Sequence, residues 1–169
     1  MIVRPEPPEH ADERTTLVAF LDYFRATLLM KAEGLTDEQS RAATVEPSIL
    51  SIAGLLRHMA EVERHWFQHY LRGDARDRMF WGDDDPDGDM HIPADTTLAD
   101  CVAVYEREIE ISRSITGGHA LDDLAATIDQ SDGWQPNLRW ILVHMIEEYA
   151  RHCGHADLIR ERIDGAVGD

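Results

Sequence analysis

Residues 138–160 carry apolar side chains at the three- and four-residue spacing of one helix face: Leu138, Ile141, Leu142, Met145, Tyr149, Ala156 and Ile159. Such a stripe has to be covered, so it commits the chain to packing helix on helix. Three other stretches have the same period. Leu17, Phe20, Leu21, Phe24, Leu28 and Leu29 predict a helix over 13–32, closed by Gly34. Leu55, Met59, Val62, Trp66 and Tyr70 predict a second over 51–71, closed by Gly73. Leu98, Val102, Tyr105, Ile109 and Ile111 or Ile115 predict a third over 98–115, capped by Thr96 or Thr97 and stopped by Gly117-Gly118. The last helix opens at Pro136-Asn137 and ends near Gly165. A short helical turn fits 36–43, where Thr36 and Gln39 have capping-box spacing. No strand pattern is present. The expected fold is all-α, a four-helix bundle with long connections, forming one domain over 1–169.

The connections carry their own signals. Residues 74–93 are rich in Asp, Gly and Pro and read as a solvated link between helices. Within them Gly82–Met90 looks like a calcium loop at first sight, but it lacks the correctly spaced terminal Glu and contains Pro86. The second connection, 119–136, has Leu121, Leu124, Ile128 and Trp134 as anchors.

Charge and missing motifs exclude several function classes. The formal net charge is -17, from 33 acidic against 16 basic residues, so nucleic-acid phosphates and anionic membranes are repelled and neither is an expected partner. No apolar run approaches the ~20 residues that span a bilayer, and Met1–Glu13 has no apolar signal core. The two cysteines, Cys101 and Cys153, form neither a CxxC pair nor a disulfide framework, so a reduced cytoplasmic setting is expected. No phosphate-cradling glycine loop, G-x-S-x-G elbow or H-E-x-x-H is found, which argues against nucleotide binding, a serine nucleophile and a zincin.

The chemistry concentrates on the last helix, where His144, Glu147, Glu148, His152, His155 and Asp157 crowd together. Glu148 and His152 lie one turn apart on one face, and His152 falls inside the apolar stripe. A buried polar group needs a partner, and a divalent cation between carboxylate and imidazole satisfies both. Alone, E-x-x-x-H is more often an ordinary surface pair than a metal site. His58, in the apolar stretch Ile52–Val62, adds a ligand from a separate helix and completes an open three-ligand site. His58, Glu148 and His152 are therefore the candidate metal ligands, a set that suits Zn²⁺, Ni²⁺ or Fe²⁺. His155, one turn beyond His152, is placed at the rim as a cofactor contact; a surface histidine near the helix end is its alternative reading. His144 and Glu147 read as solvated or supporting groups, and His65 as a partly buried histidine on the His58 face. Cys153, about 100° around the helix from His152, reads as core filling. Trp81 can line a pocket mouth, while Trp66, Trp134 and Trp140 read as packing residues.

The segments Leu55-Leu-Arg-His-Met-Ala-Glu-Val-Glu-Arg-His-Trp-Phe67 and Glu147-Glu-Tyr-Ala-Arg-His-Cys-Gly-His-Ala-Asp157 resemble the DinB/YfiT-like superfamily, nearest the branch that includes mycothiol-dependent maleylpyruvate isomerase. The resemblance implies a four-helix bundle, often dimeric, with a divalent metal held by side chains of the second and last helices. The matching positions are His58, Glu148 and His152, and glutamate at 148 agrees with the isomerase-like branch. It further implies Zn²⁺ as the first choice of ion and a low-molecular-weight thiol, mycothiol or bacillithiol, that coordinates the metal as thiolate and is joined to an electrophile. The isomerase's second, sterol-carrier-like domain has no counterpart in this sequence. The expectation is therefore a thiol S-transferase rather than maleylpyruvate isomerisation. Two alternatives stand beside it: a metal-dependent hydrolase, and a non-enzymatic helical module with a structural metal or polar network.

Overall fold

A computed structural model of the protein describes residues 2–75 and 78–168. Among the described residues there are five α-helices: α1 (Glu13–Ala32), the short α2 (Asp37–Arg41), α3 (Ile52–Glu63), α4 (Leu98–Gly117) and α5 (Leu138–Asp164). Each starts where a side chain can accept an otherwise orphaned backbone N–H, from Asp12, Thr36, Ser51, Thr97 and Asn137 respectively. Thr36 with Gln39, and Thr97 with Asp100, close full capping boxes. The long helices pack as the apolar stripes require: α1 on α5, α3 on α4, and α3 on both α1 and α5. Leu21, Leu28, Leu55, Met59, Ile141, Met145 and Tyr149 are fully buried between them. The architecture is the all-α bundle expected. Among the described residues no helix is long and apolar enough to cross a membrane.

The second long helix departs from expectation after Glu63. The chain continues as a π-helical segment, Arg64–Arg72, and ends at Gly73 with φ +84°. A π turn takes more residues than an α turn, so it rotates every later side chain around the axis. Trp66 and Tyr70 of the expected apolar line are consequently only half-buried, while Phe67 and Leu71 enter the core. The backbone groups at the end of this segment are taken up from outside: Ala126 N–H donates to Leu71 O and Thr127 N–H to Tyr70 O, both at 3.0 Å. The connection 119–136 is thereby stitched to the π segment.

A buried polar network ties three helices where α3 gives way to the π segment. Arg25 of α1 donates to both carboxylate oxygens of Glu63, at 2.8 and 2.7 Å, and the Tyr149 hydroxyl of α5 donates to Glu63 Oε1 at 2.7 Å. The carboxylate raises the Arg25 pKa against the cost of burial, so the guanidinium stays charged. With Tyr149 turned inward, the rotation of α5 about its axis is fixed.

The connection after the π segment is not a solvated link throughout. Residues 76 and 77 lie outside the described residues, but the portion beyond them folds onto α3. Arg57 donates to the carbonyls of Asp89 and Gly88, both at 2.9 Å, and its guanidinium stacks over Phe80 at 3.9 Å. Glu61 Oε2 accepts from the amides of Met79 and Phe80, at 2.9 and 3.1 Å. Asp89 is buried, and a Cβ at Gly88 would stand 2.2 Å from the Phe80 carbonyl oxygen. Two α3 side chains thus hydrogen-bond loop backbone, which apolar-content reasoning misses because the anchoring side chains are charged.

Candidate metal centre

His58 projects from α3 toward the face of α5 that carries Glu148 and His152. One ligand atom from each of the three lies within 4.8 Å of the other two. His152 Nε2 is 3.5 Å from Glu148 Oε2, and the His58 and His152 rings stand 4.7 Å apart at 60°. Their side chains are 27%, 18% and 12% exposed for His58, Glu148 and His152, so the group opens to solvent without lying on the surface.

Two contacts set the protonation of this group. His58 Nδ1 lies 2.7 Å from Asp89 Oδ2. A carboxylate can only accept, so Nδ1 carries the hydrogen of this contact, and Nε2 is the nitrogen turned away from Asp89. His152 is pushed down to about 4, first by burial and then by the neighbouring His58 and His155. It is neutral at neutral pH, as a metal ligand must be. His155 Nδ1 lies 3.4 Å from His152 Nδ1, and a hydrogen donated from His152 there leaves Nε2 facing Glu148. The donor set, two imidazoles and a carboxylate with an aspartate behind one imidazole, fits a divalent ion.

A cavity of about 340 Å³ is lined by His58, Asp89, Glu61, His65, His69 and Trp81 among others. Burial pushes the Glu61 carboxyl above the usual carboxylate range. His69 Nδ1 is held by the Asp74 carbonyl at 2.9 Å. Trp81 does stand in this cavity wall, and the Arg78 guanidinium stacks on it at 4.1 Å. His65 and His69, four residues apart, share one side of the π segment, with ring centroids 5.7 Å apart.

The remaining expected residues divide clearly. Cys153 is buried, its thiol is pushed up to about 12 by burial, and its Sγ lies 3.6 Å from the Phe24 carbonyl, so it fills the core. Asp157 pairs with Lys31 at 2.8 Å, and Glu147 pairs with Arg151. Trp66, Trp134 and Trp140 form one aromatic cluster together with Tyr70 and His144. Sequence reasoning missed Asp89 and Glu61. Asp89 stands among several similar acids in one loop, with no local signal to single it out. Glu61 was visible beside His58, but its loop partners are backbone amides that no side-chain pattern reveals.

Comparison with known proteins places these residues in context. The family model for mycothiol-S-transferase matches residues 16–165. No curated protein matches the chain. A crystal structure of a conserved protein from Enterococcus faecalis superposes with a TM-score of 0.65 at 16% identity, covering 93% of this chain and 100% of that one, which is a likeness of fold.

Proposed function

The chain belongs to the mycothiol-S-transferase family, and from that premise we propose that it joins a low-molecular-weight thiol such as mycothiol to a small electrophile, using a divalent ion held by His58, Glu148 and His152. The observation that carries this reading is the convergence of those three side chains, of which His58 also lines a cavity. An ion bound there lowers the pKa of a coordinating thiol and so supplies a thiolate at neutral pH. Asp89 holds His58 in the tautomer that leaves Nε2 available. Glu148 contributes the negative charge of the set, which with two imidazoles favours a dication; Zn²⁺ is the ion we propose. His155 stands beside His152 at the rim, as the contact for the incoming thiol. Glu61, His65 and Trp81 shape the space in which the electrophile would lie. In the transfer a carbon–sulfur bond forms, the electrophile loses its leaving group, and the thiol proton passes to solvent.

The remaining parts of the proposal are a single cytoplasmic domain and assembly as a homodimer, as the family resemblance implies; light scattering tests the assembly. The function is tested with monochlorobimane and mycothiol. Metal-loaded wild-type protein is expected to release chloride and form the fluorescent thioether, while His58→Ala and His152→Ala lose both metal and product. Bound metal with no conjugate from a panel of thiols and electrophiles would overturn the transferase reading and favour a structural ion. Unchanged metal content in His152→Ala would remove that residue from the centre.

A further inference from the structure

The fold uses only half of the Glu61 carboxylate. The residue is 7% exposed, and the two loop amides that it receives, from Met79 and Phe80, both meet Oε2. Among the described residues no donor stands within hydrogen-bond distance of Oε1. This oxygen is not sealed in the core either, since it is not one of the buried polar atoms left without a partner. Glu61 lines the cavity, and that is the space to which Oε1 is open.

Two features make Oε1 a prepared acceptor. The amides of one loop hold Oε2, which restrains the whole carboxylate before any ligand arrives. Burial works against its ionised form, while those amides and Arg64 work for it and Asp89 against it. Glu61 also follows His58 by three residues on α3, so the two side chains share one side of the helix with Cβ atoms about 5–6 Å apart. Both line the cavity. A ligand that fills the space beside such an acceptor has to bring a donor, because an acceptor stripped of water and left unpaired is costly.

We propose that Glu61 is a specificity-determining residue for the thiol: Oε1 accepts from an N–H carried near the sulfur, so the site selects aminothiols and their N-acyl derivatives over thiols that lack a donor. The contact rests on the proposed seating of the sulfur on an ion at His58, Glu148 and His152. It gives the carboxylate a role at the thiol in addition to its place in the wall of the electrophile's space.

N-acetylcysteamine and 2-mercaptoethyl acetate differ only in an amide N–H against an ester oxygen, and they test this. Each is titrated into the Co²⁺-loaded full chain, and the thiolate-to-cobalt absorption band gives its affinity. The wild type is expected to bind the amide at least about tenfold more tightly than the ester. Glu61→Gln keeps an oxygen for the Met79 and Phe80 amides but turns an NH₂ group toward the cavity, which cannot accept. In that variant the preference is expected to vanish, with hydrogen exchange at 79–80 as in the wild type. Equal affinities in the wild type, with both thiols conjugated to monochlorobimane, would overturn the contact and leave the transferase reading standing. A tenfold preference kept in Glu61→Gln would also overturn it. No band with either thiol or with mycothiol would end both readings.

Discussion

Asp89 stands 31 residues from His58 in the chain and 2.7 Å from it in space. Its carboxylate fixes the His58 tautomer, so Asp89→Asn is expected to weaken metal binding about 10–100-fold while leaving the ligands in place. Competition with a chromogenic chelator measures this, and an unchanged affinity would show that Asp89 only anchors the loop. His152 brings a pH dependence with a definite sign. Its folded pKa of about 4 lies below the ordinary 6.5. The unfolded chain therefore binds the proton first as pH falls, and the metal-free protein loses stability between pH 6.5 and about 4, by up to about 3 kcal/mol. Urea titrations of the metal-free protein across that window are expected to show the loss, and a flatter profile in His152→Phe. At this scale the sequence reveals the residue types. His58 and His152 announce themselves as imidazoles within apolar helical runs. Asp89 does not, because what distinguishes it from Asp83, Asp84, Asp85 and Asp87 is a contact that exists only after folding.

The π segment is the element whose geometry governs the cavity. Its turn after Glu63 rotates Phe67 and Leu71 into the core and puts His65 and His69 on the cavity side. Gly73 ends it at φ +84°, and a Cβ there would stand 2.9 Å from that of Ala126. Gly73→Ala is therefore strained twice, and is expected to destabilise the protein by about 1–2 kcal/mol or more. Thermal unfolding measures this, and a change within error would mean that the helix end re-forms elsewhere. The loop over α3 depends on one carboxylate. Glu61→Ala removes the acceptor of the Met79 and Phe80 amides. Hydrogen exchange at 79–80 is expected to accelerate relative to the α3 core, whereas unaltered protection would assign the loop's order to Arg57 instead. The α-helices and their limits were legible because caps, glycines and apolar spacing are local. The π turn was not, since an extra residue per turn is stabilised only by the neighbours that accept the shifted side chains and meet the freed backbone groups.

At the scale of the whole molecule, α1, α3 and α5 meet at Glu63, where Arg25 and Tyr149 both donate to one buried carboxylate. Removing that carboxylate takes away the bidentate partner of a buried guanidinium and leaves it Asp22, which accepts from Nη1 at 3.0 Å. Glu63→Ala is expected to destabilise the fold by roughly 3–5 kcal/mol, readable as a lower denaturant midpoint, and a change under about 1 kcal/mol would show that the network adds little. Because Tyr149 sits between Glu148 and His152 in the chain, the same loss is expected to loosen the alignment of both with His58. The sequence by itself determined the helical class and the approximate extent of the long helices, because hydrophobic periodicity and helix-end chemistry are written in residues a few positions apart. Only the tertiary structure decided that a π turn redirects the second helix, that an acidic loop folds back to brace His58, and that Glu148 faces two histidines at once. Each of those is a contact between residues or elements whose relation depends on how the helices are rotated and packed, and no local pattern encodes it.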